Sequence, residues 1–333
     1  MRAMAIFALA GLLALVALVA RSDASAIFDA LRAMGWGLVL VVLVHLIQMT
    51  LSGFAWQALC PSTYRAGGWS FVHGRWIRES VSSLLPVSQI GGDLAGVRVM
   101  TLRGAPAGTA GASIIVDLSM EAVGQIVFTL IALALFLAQG HGEDTPALSW
   151  AVPGIGVATL AVAGFVAVQR GGLFAHVERF ALRYAERYPR LALHAIEGLD
   201  EGIRRLYRTP RPLAMGGGWH LLSWLLGAVE VWLILHLMGI PITIGQGLVI
   251  EGLSQAARSA AFMVPGGLGV QEGSLVVIGA LYGIPSEHSL ALALAKRGRE
   301  ILLGVPGLLA WHLAESQHAR NPAPGSRGPS GTR

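Results

Sequence analysis

The sequence has few charged residues, a single cysteine and a single lysine. Only 13% of its 333 residues are Asp, Glu, Lys or Arg, against about 25% in soluble globular proteins. With Cys60 alone, the chain forms no internal disulfide and no cysteine-based metal site. It also lacks the HExxH, GxSxG and DDxxD patterns of zinc, serine-nucleophile and diphosphate–magnesium enzymes. These absences argue against a soluble protein and against common enzyme classes.

Long apolar runs occupy most of the chain. They cover 3–20, 37–60, 109–139, 148–169, 212–237 and 244–264, and a last span is placed at 288–313. A helix needs about 17–25 apolar residues to cross a bilayer. The sequence therefore predicts an all-α polytopic membrane protein with about six full spans.

The first apolar run has two interpretations. Arg2, an apolar core of about 18 residues and the small residues of 24–26 resemble a secretory signal with a cleavage site. The core is longer than the 7–15 residues typical of such a signal. This length favours an uncleaved first span, with a cleaved signal as the alternative.

Arginine is distributed unevenly between the polar segments. Segment 170–211 contains nine arginines, whereas 140–147 contains no Lys or Arg. By the positive-inside rule, the first segment is cytoplasmic and the second lies on the other side. The net charge of +5 thus reflects orientation in the inner membrane rather than nucleic-acid binding, and both termini are predicted to be cytoplasmic.

Two segments are too polar to be spans. Segment 173–211 has apolar residues at spacings of three and four between Arg and Glu, and Pro189 divides it into two amphipathic helices. We interpret it as a basic cytoplasmic connector on the bilayer surface, with a partner-binding element as the alternative. The tail at 314–333 is rich in Pro, Gly and Ser, which predicts disorder.

The chain resembles itself at an offset of 179 residues. LLPVSQIGGDLAGVRVMTLRGAP (84–106) then aligns with MVPGGLGVQEGSLVVIGALYGIP (263–285), so that Pro86 meets Pro265 and Asp93 meets Glu272. Counting the crossings gives equivalent helices opposite directions, which predicts an inverted repeat. The first half is 1–139 with a hairpin at 70–104. The second comprises a span within 140–172 and the segment 212–313, with a hairpin at 249–285.

Both hairpins contain helix-breaking residues and are predicted to be re-entrant. The predicted breaks are Pro86, Gly91, Gly92, Pro265, Gly266, Gly267 and Gly269. No Gly-Lys-Ser/Thr follows the glycines, which excludes a phosphate-binding P-loop. Helix breaks at matching positions of two halves indicate a substrate site between them.

Ionisable residues at membrane depth are functional candidates, because an unpaired charge there is costly. The predicted substrate path contains Arg78, Asp93, Arg98, Asp117, Glu121, Glu272, Lys296, Arg297 and Glu300. A static network of ion pairs is the alternative to contact with a headgroup or a coupling proton. Arg78 also has the alternative of marking the cytoplasmic interface. Asp117 and Lys296 are equivalent in the repeat and are predicted to pair, while His220 and His236 are interpreted as interfacial.

The hairpin motifs resemble those of a known family. SSLLPVSQIGGDLAGVRVMTLRGAPAGTAGASIIVDLS, VPGGLGVQEGSLVVIGALYGIP and ALALAKRGRE resemble the flippase-like membrane domain of lysylphosphatidylglycerol synthases, over roughly residues 5–315. Within that superfamily they are most similar to membrane proteins associated with hopanoid biosynthesis. The matching motif positions are Pro86, Gly92, Asp93, Arg98, Asp117, Pro265, Gly266, Gly267, Gly269, Glu272, Lys296 and Arg297. The common pattern has an arginine sooner after the acid, whereas here Arg98 follows Asp93 by five residues, as in the hopanoid-type branch.

The resemblance implies lipid handling without aminoacyl transfer, because no counterpart of the synthases' cytoplasmic domain is expected after residue 320. The expected function is an inner-membrane lipid transporter or flippase-like protein, without enzymatic activity, cofactor or metal. Its expected partners are a hopanoid or phospholipid substrate and lipid-biosynthesis enzymes, not nucleic acid. The rivals are an ion-coupled carrier of a small soluble solute and a membrane-embedded lipid-modifying enzyme.

Overall fold

The computed structural model describes residues 23–60, 64, 67–85, 88–139, 199–260 and 268–320. These residues form helices and connecting turns, with no strand among them. The helices are α1 (Ala24–Met34), α2 (Gly37–Ala58), α3 (Gly68–Leu84), α4 (Ser88–Leu102), α5 (Ala107–Ala138), α6 (Leu199–Tyr207), α7 (Pro210–Leu237), α8 (Ile244–Ala260), α9 (Val270–Leu281) and α10 (Ser286–Arg320).

Three of these helices are long and apolar enough to cross a membrane. They are α2, α5 and α7, with mean hydropathies of 2.1, 2.1 and 1.6 over their most apolar stretches. The prediction of a helical membrane protein is confirmed, and the runs 37–60, 109–139 and 212–237 are helical. Helix α10 extends the predicted span 288–313 at both ends. The predicted spans at 3–20 and 148–169 lie outside the described residues, as do 173–198 of the connector and the tail after 320.

Large apolar side chains point outward along single faces of the long helices. On α2, Leu40, Leu43 and Ile47 recur at spacings of three and four and are about half exposed. A similar stripe runs along α10, at Ile301, Val305, Leu309 and Leu313. Exposed apolar surface of this extent is unusual for a monomeric protein in water but is what a bilayer stabilises. These faces are therefore the lipid-facing surface.

The helices pack so that the two hairpins flank a central group of long helices. Helix α2 packs along α7, and α5 packs against both α7 and α8. Helices α3 and α4 form one hairpin, and α8 and α9 the other. Helix α10 packs on α3 from the first hairpin and on α9 from the second. This arrangement brings polar positions of six helices towards one interior region.

The two halves of the chain share their helix order and several helix boundaries. An offset of 179 residues places α2 to α5 on α7 to α10. Helices α4 and α9 then end at equivalent residues, Leu102 and Leu281. Each end is followed by a glycine with positive φ, Gly104 at 89° and Gly283 at 69°.

The hydrogen bonds that close these two helix ends are equivalent as well. The N–H of Ala105 donates to the carbonyl of Met100 at 3.1 Å, and the N–H of Ile284 donates to the carbonyl of Gly279 at 3.0 Å. Such a closure needs a left-handed residue, which glycine provides at the lowest cost. The agreement supports the internal repeat that the sequence predicts.

The structure corrects the predicted helix breaks of the first hairpin. The chain turns between Leu84 and Ser88, so Gly91 and Gly92 lie inside α4 rather than at a break. A Cβ atom at Gly92 would collide with the carbonyl oxygen of Arg78 and with the side chain of Ser82. Gly92 is therefore required for the close approach of α4 to α3. Pro86 lies outside the described residues.

The second hairpin breaks where the sequence predicts. Gly269 has a φ of 77° and precedes α9, and its N–H donates to the Glu272 carboxylate at 2.7 Å. The other predicted breaks, Pro265, Gly266 and Gly267, lie outside the described residues.

Gly92→Ala should destabilise the protein because α3 and α4 cannot accommodate the methyl group. Overpacking of this kind costs about 1–3 kcal/mol. Gly218→Ala is the matched control, since a Cβ atom added to Gly218 in α7 would meet nothing within 4 Å, and it should gain about 0.5–1 kcal/mol. Melting temperatures of the purified variants measure both effects. Equal melting temperatures would contradict the close approach.

Candidate functional site

Charged side chains are buried among the packed helices. Those with 5% exposure or less are Arg78, Asp117, Glu230, Glu251, Glu272, Lys296 and Arg299. A buried charge is tolerated only when it is paired and its hydrogen bonds are made. The pairing of these groups therefore defines the candidate site.

The first-half cluster is organised around the guanidinium group of Arg78 on α3. Its Nε bonds Asp93 Oδ1 on α4 at 2.6 Å, and its Nη1 bonds Asp117 Oδ2 on α5 at 2.6 Å. Its Nη2 lies 3.6 Å from Glu121 Oε2. Asp117 and Glu121 are four residues apart and therefore share one face of α5. A single arginine thus joins both arms of the first hairpin to the adjacent span.

Arg75 and His220 extend this cluster at its two ends. Arg75 lies one turn before Arg78 and holds Glu121 with two hydrogen bonds of 2.7 and 2.9 Å, the strongest geometry for such a pair. His220 Nε2 on α7 lies 2.8 Å from Asp117 Oδ1. Since α7 belongs to the second half, Asp117 connects the two halves.

The second-half cluster is built from hairpin two and α10. Arg297 bonds Glu272 Oε1 at 3.2 Å and Glu300 Oε2 at 2.9 Å. Lys296 Nζ bonds Glu251 Oε2 on α8 at 2.5 Å. The acids Glu272 and Glu300 are the repeat equivalents of Asp93 and Glu121. Each half therefore holds an arginine between a hairpin acid and a span acid.

Four residues, here called the bridge, join the two clusters: His45, Glu79, Glu230 and Arg299. His45 Nε2 on α2 lies 2.6 Å from Glu79 Oε1 on α3. Arg299 Nη1 on α10 bonds both oxygens of Glu230 on α7 at 2.7 Å and also contacts His45 Nδ1. The bridge reaches the first cluster through Arg75 and Glu79, 3.9 Å apart, and the second through Arg299 and Glu300, 3.8 Å apart.

The chain matches the family model described as the lysylphosphatidylglycerol synthase TM region, over residues 3–307. The chain belongs to this family. Comparisons with curated proteins and with solved structures gave no match. The family match confirms the resemblance to the synthase superfamily and, together with the apolar helices, shows a membrane protein related to lipid processes.

Most of the predicted path residues of this family member lie in the network. Arg78, Asp93, Asp117, Glu121, Glu272, Lys296, Arg297 and Glu300 all form ion pairs there. The alternative that Arg78 marks the cytoplasmic interface does not fit its 2% exposure or its three carboxylate neighbours.

The predicted pairing of Asp117 with Lys296 is wrong. Asp117 is held by Arg78 and His220, while Lys296 bonds Glu251. Each charge has a counter-ion supplied by a neighbouring helix, so neither needs a partner across the repeat axis. Equivalence in sequence therefore did not mean contact in space.

Arg98 lies outside the network. Its side chain is 48% exposed and forms two hydrogen bonds, of 2.8 and 3.0 Å, to Glu315 on α10. Five residues correspond to about 140° around a helix, so Arg98 and Asp93 project from different faces of α4. The hydrogen bond from Arg98 also lowers the pKa of the Glu315 carboxyl. Arg98 is therefore a surface residue rather than a path residue.

Sequence reasoning missed three residues of the site. His220 was interpreted as interfacial but is 1% exposed and bonds Asp117. His45 and Glu230 lie alone in long apolar spans, which by itself is a signal of function at membrane depth. Their positions have no polar equivalent in the other half, so the repeat gave no hint of them.

One trio has the composition of a metal site. Ligand atoms of Asp117, Glu121 and His220 lie within 4.8 Å of one another. The same carboxylates already accept hydrogen bonds from Arg75 and Arg78. These guanidinium groups would repel a divalent cation at short range. The geometry therefore favours an ion-pair cluster over a metal centre at this place.

Within the described helices, three buried guanidinium nitrogens have no hydrogen-bond partner: Nε of Arg75, Nη2 of Arg78 and Nε of Arg299. An orphaned buried donor costs about 1–3 kcal/mol. Phosphate and carboxylate oxygens are the preferred partners of guanidinium groups. The network can thus accept a further anionic or strongly polar oxygen without first losing an ion pair.

Proposed function

We propose that this chain is an inner-membrane lipid transporter or flippase-like protein, and that it moves a hopanoid or a related lipid without chemical modification. The observation that carries the proposal is the ion-pair network between the two hairpins, in a family of lipid-related membrane regions. A static scaffold would be served as well by apolar packing, because a buried pair gains little net stability. The network is therefore assigned to the headgroup path.

The proposal includes an inverted repeat of two halves. The shared helix ends at Leu102 and Leu281 and the matching glycines, Gly104 and Gly283, support the repeat. The uneven arginines support opposite orientations of the halves, with both termini cytoplasmic. Transporters built in this way carry their substrate near the midplane by rocking one half against the other.

The network offers a polar headgroup a sequence of partners along this route. The unpartnered nitrogens of Arg75 and Arg78 lie in the first cluster, and that of Arg299 lies in the bridge. A headgroup oxygen bonded there replaces part of the hydration that it loses in the membrane. The apolar body of the lipid remains against the outward faces of α2 and α10, which are already lipid-facing. We further propose lipid-biosynthesis enzymes as the protein partners that deliver the substrate.

Lipid analysis of separated inner and outer membranes from a deletion strain tests the function. Loss of the chain should change the distribution of one lipid class between the membranes, and the wild-type chain should restore it. Arg75→Gln should fail to restore it, because Glu121 loses its bidentate partner. The exposed Arg98→Gln is the matched control and should restore it. An unchanged lipid distribution in the deletion strain would favour a solute carrier.

Cysteine labelling tests the proposed orientation. In a Cys60→Ser background, Glu143→Cys should react with an impermeant maleimide from outside the cell, and Arg187→Cys should not. The arginine-free loop and the arginine-rich segment are the reason for this expectation. The reverse pattern would invert the topology, and reaction of both sites would rule it out.

A further inference from the structure

His45 occupies a position from which one proton can alter contacts between the two halves. It lies eight residues after the start of α2, about 12 Å along the helix axis, and its side chain is 12% exposed. Glu79 on α3 belongs to the first half, as His45 does. Glu230 on α7 and Arg299 on α10 belong to the second half.

The hydrogen bonds of His45 fit one neutral tautomer. Glu79 Oε1 lies 2.6 Å from Nε2, and an ionised carboxylate only accepts, so Nε2 carries the hydrogen. The N–H of Arg299 Nη1 points to Nδ1, and a guanidinium group only donates, so Nδ1 is the acceptor. Neutral imidazole therefore accepts from one half while donating within the other.

A second proton on His45 reverses the second of these contacts. It would bind Nδ1, which could then no longer accept from Arg299 and would carry a charge of the same sign. Glu230 Oε2 lies 3.4 Å from Nδ1 and would become the acceptor. Arg299 would keep a partner elsewhere, because it also bonds Glu230 Oε1 and lies 3.8 Å from Glu300. Protonation thus exchanges an Arg299 contact for a Glu230 contact.

The charges of the network allow this extra proton. Among the described residues, the network and its immediate neighbour Arg258 contain eight carboxylates and six Lys or Arg side chains: Glu79, Asp93, Asp117, Glu121, Glu230, Glu251, Glu272 and Glu300 with Arg75, Arg78, Arg258, Lys296, Arg297 and Arg299. Two protons would balance the set, and its two histidines are His45 and His220. Glu79 offers a route for proton entry, because its side chain is 31% exposed and a carboxylate at membrane depth needs water.

We propose that His45 is a proton-binding site that switches the contacts between the two halves of the chain. The groups facing it are Glu79 and, behind it, Arg75 from α3, Glu230 from α7 and Arg299 with Glu300 from α10, while Gln48 from α2 bonds Glu230 at 2.7 Å. The site goes beyond the proposed transport of lipid and does not rest on it. It would give the protein a means of responding to protons whichever substrate it moves.

Nuclear magnetic resonance of histidine tests proton binding directly. The full chain, with its ten histidines labelled with nitrogen-15, is placed in lipid nanodiscs and observed from about pH 5 to about pH 9. One signal should pass from the Nε2–H tautomer to the doubly protonated ring and should be missing in His45→Gln. His236→Gln, at an exposed position of α7, should leave that signal in place. A His45 signal that keeps one form throughout would overturn the proposal.

Glu230→Gln and a pair of spin labels test the switch itself. With Glu230→Gln, about tenfold more protons should be needed for half-titration, because a nearby opposite charge shifts such a midpoint by about one to three pH units. Labels at Leu43→Cys on α2 and Leu302→Cys on α10, both exposed positions, report the distance between the halves in a Cys60→Ser background. This distance should change with pH and should not change in His45→Gln. A pH-independent distance in the otherwise wild-type chain would overturn the switch, as would an unaltered midpoint in Glu230→Gln.

Discussion

Arg78→Met should yield little folded protein. The substitution removes the partner of Asp93 and one of the two partners of Asp117, and Asp117 is fully buried. Breaking a buried pair by removing one member costs about 3–5 kcal/mol, which is a large share of the 5–15 kcal/mol that stabilises a typical protein. Size-exclusion profiles and melting temperatures in detergent would measure the loss.

Arg78→Lys should rescue only part of this stability. Lysine keeps the charge but cannot point two nitrogens at Asp93 and Asp117 at the same time. Arg78→Met combined with Asp117→Asn should recover more than Arg78→Met alone, since the most deeply buried stranded charge is then neutral. Wild-type stability of the lysine variant would mean that the fork geometry of Arg78 is not required.

The general fold followed from the sequence because the bilayer leaves a strong and simple signal. The runs 37–60, 109–139 and 212–237 are helical in the structure, since a membrane span requires an uninterrupted apolar helix. The equivalent helix ends at Leu102 and Leu281 also followed the predicted offset, because both are fixed by a local Gly signal.

Short amphipathic helices gave a weaker signal. Helix α1 was not predicted, although Asp23 accepts hydrogen bonds from the backbone N–H of Ser25 at 2.8 Å and Ala26 at 3.3 Å and so starts the helix. Its apolar residues Ile27 and Met34 pack in the core formed with α10. A pattern of so few residues is easily assigned to the flank of the preceding apolar run.

The members of the site were easier to predict than their partners. Any ionisable residue in an apolar chain is a candidate, which selected Asp117 and Lys296 correctly as buried groups. Which charges meet depends on helix rotation and crossing, and both are set by packing. His220 and Glu230 reach the network from α7 for this reason, and no local motif marks them.

Lys296→Met should strongly destabilise the protein through the loss of a single contact. Lys296 Nζ bonds Glu251 Oε2 at 2.5 Å, and both side chains are 5% exposed or less. Without the ammonium group, Glu251 keeps a hydrogen bond only from Gln255, at 2.8 Å. The expected loss is about 3–5 kcal/mol.

The double variant Lys296→Met with Glu251→Gln should recover most of this stability. Glutamine retains the oxygen that accepts from Gln255 and removes the stranded charge, and replacing both members of a buried pair is often close to neutral. Asp117→Asn combined with Lys296→Met should instead give additive losses, because Asp117 and Lys296 have separate partners. Melting temperatures of the single and double variants complete both cycles.

Arg98→Gln sets the scale for these measurements. Its partner Glu315 is 35% exposed and Arg98 itself 48%, and such surface pairs contribute about 0–1 kcal/mol. If Lys296→Met costs no more than Arg98→Gln, the ammonium group is hydrated and its pair with Glu251 is not buried. If the double variant recovers stability but not lipid distribution in the deletion strain, the pair belongs to the transport path. Recovery of both would assign Lys296 and Glu251 to holding α8 against α10.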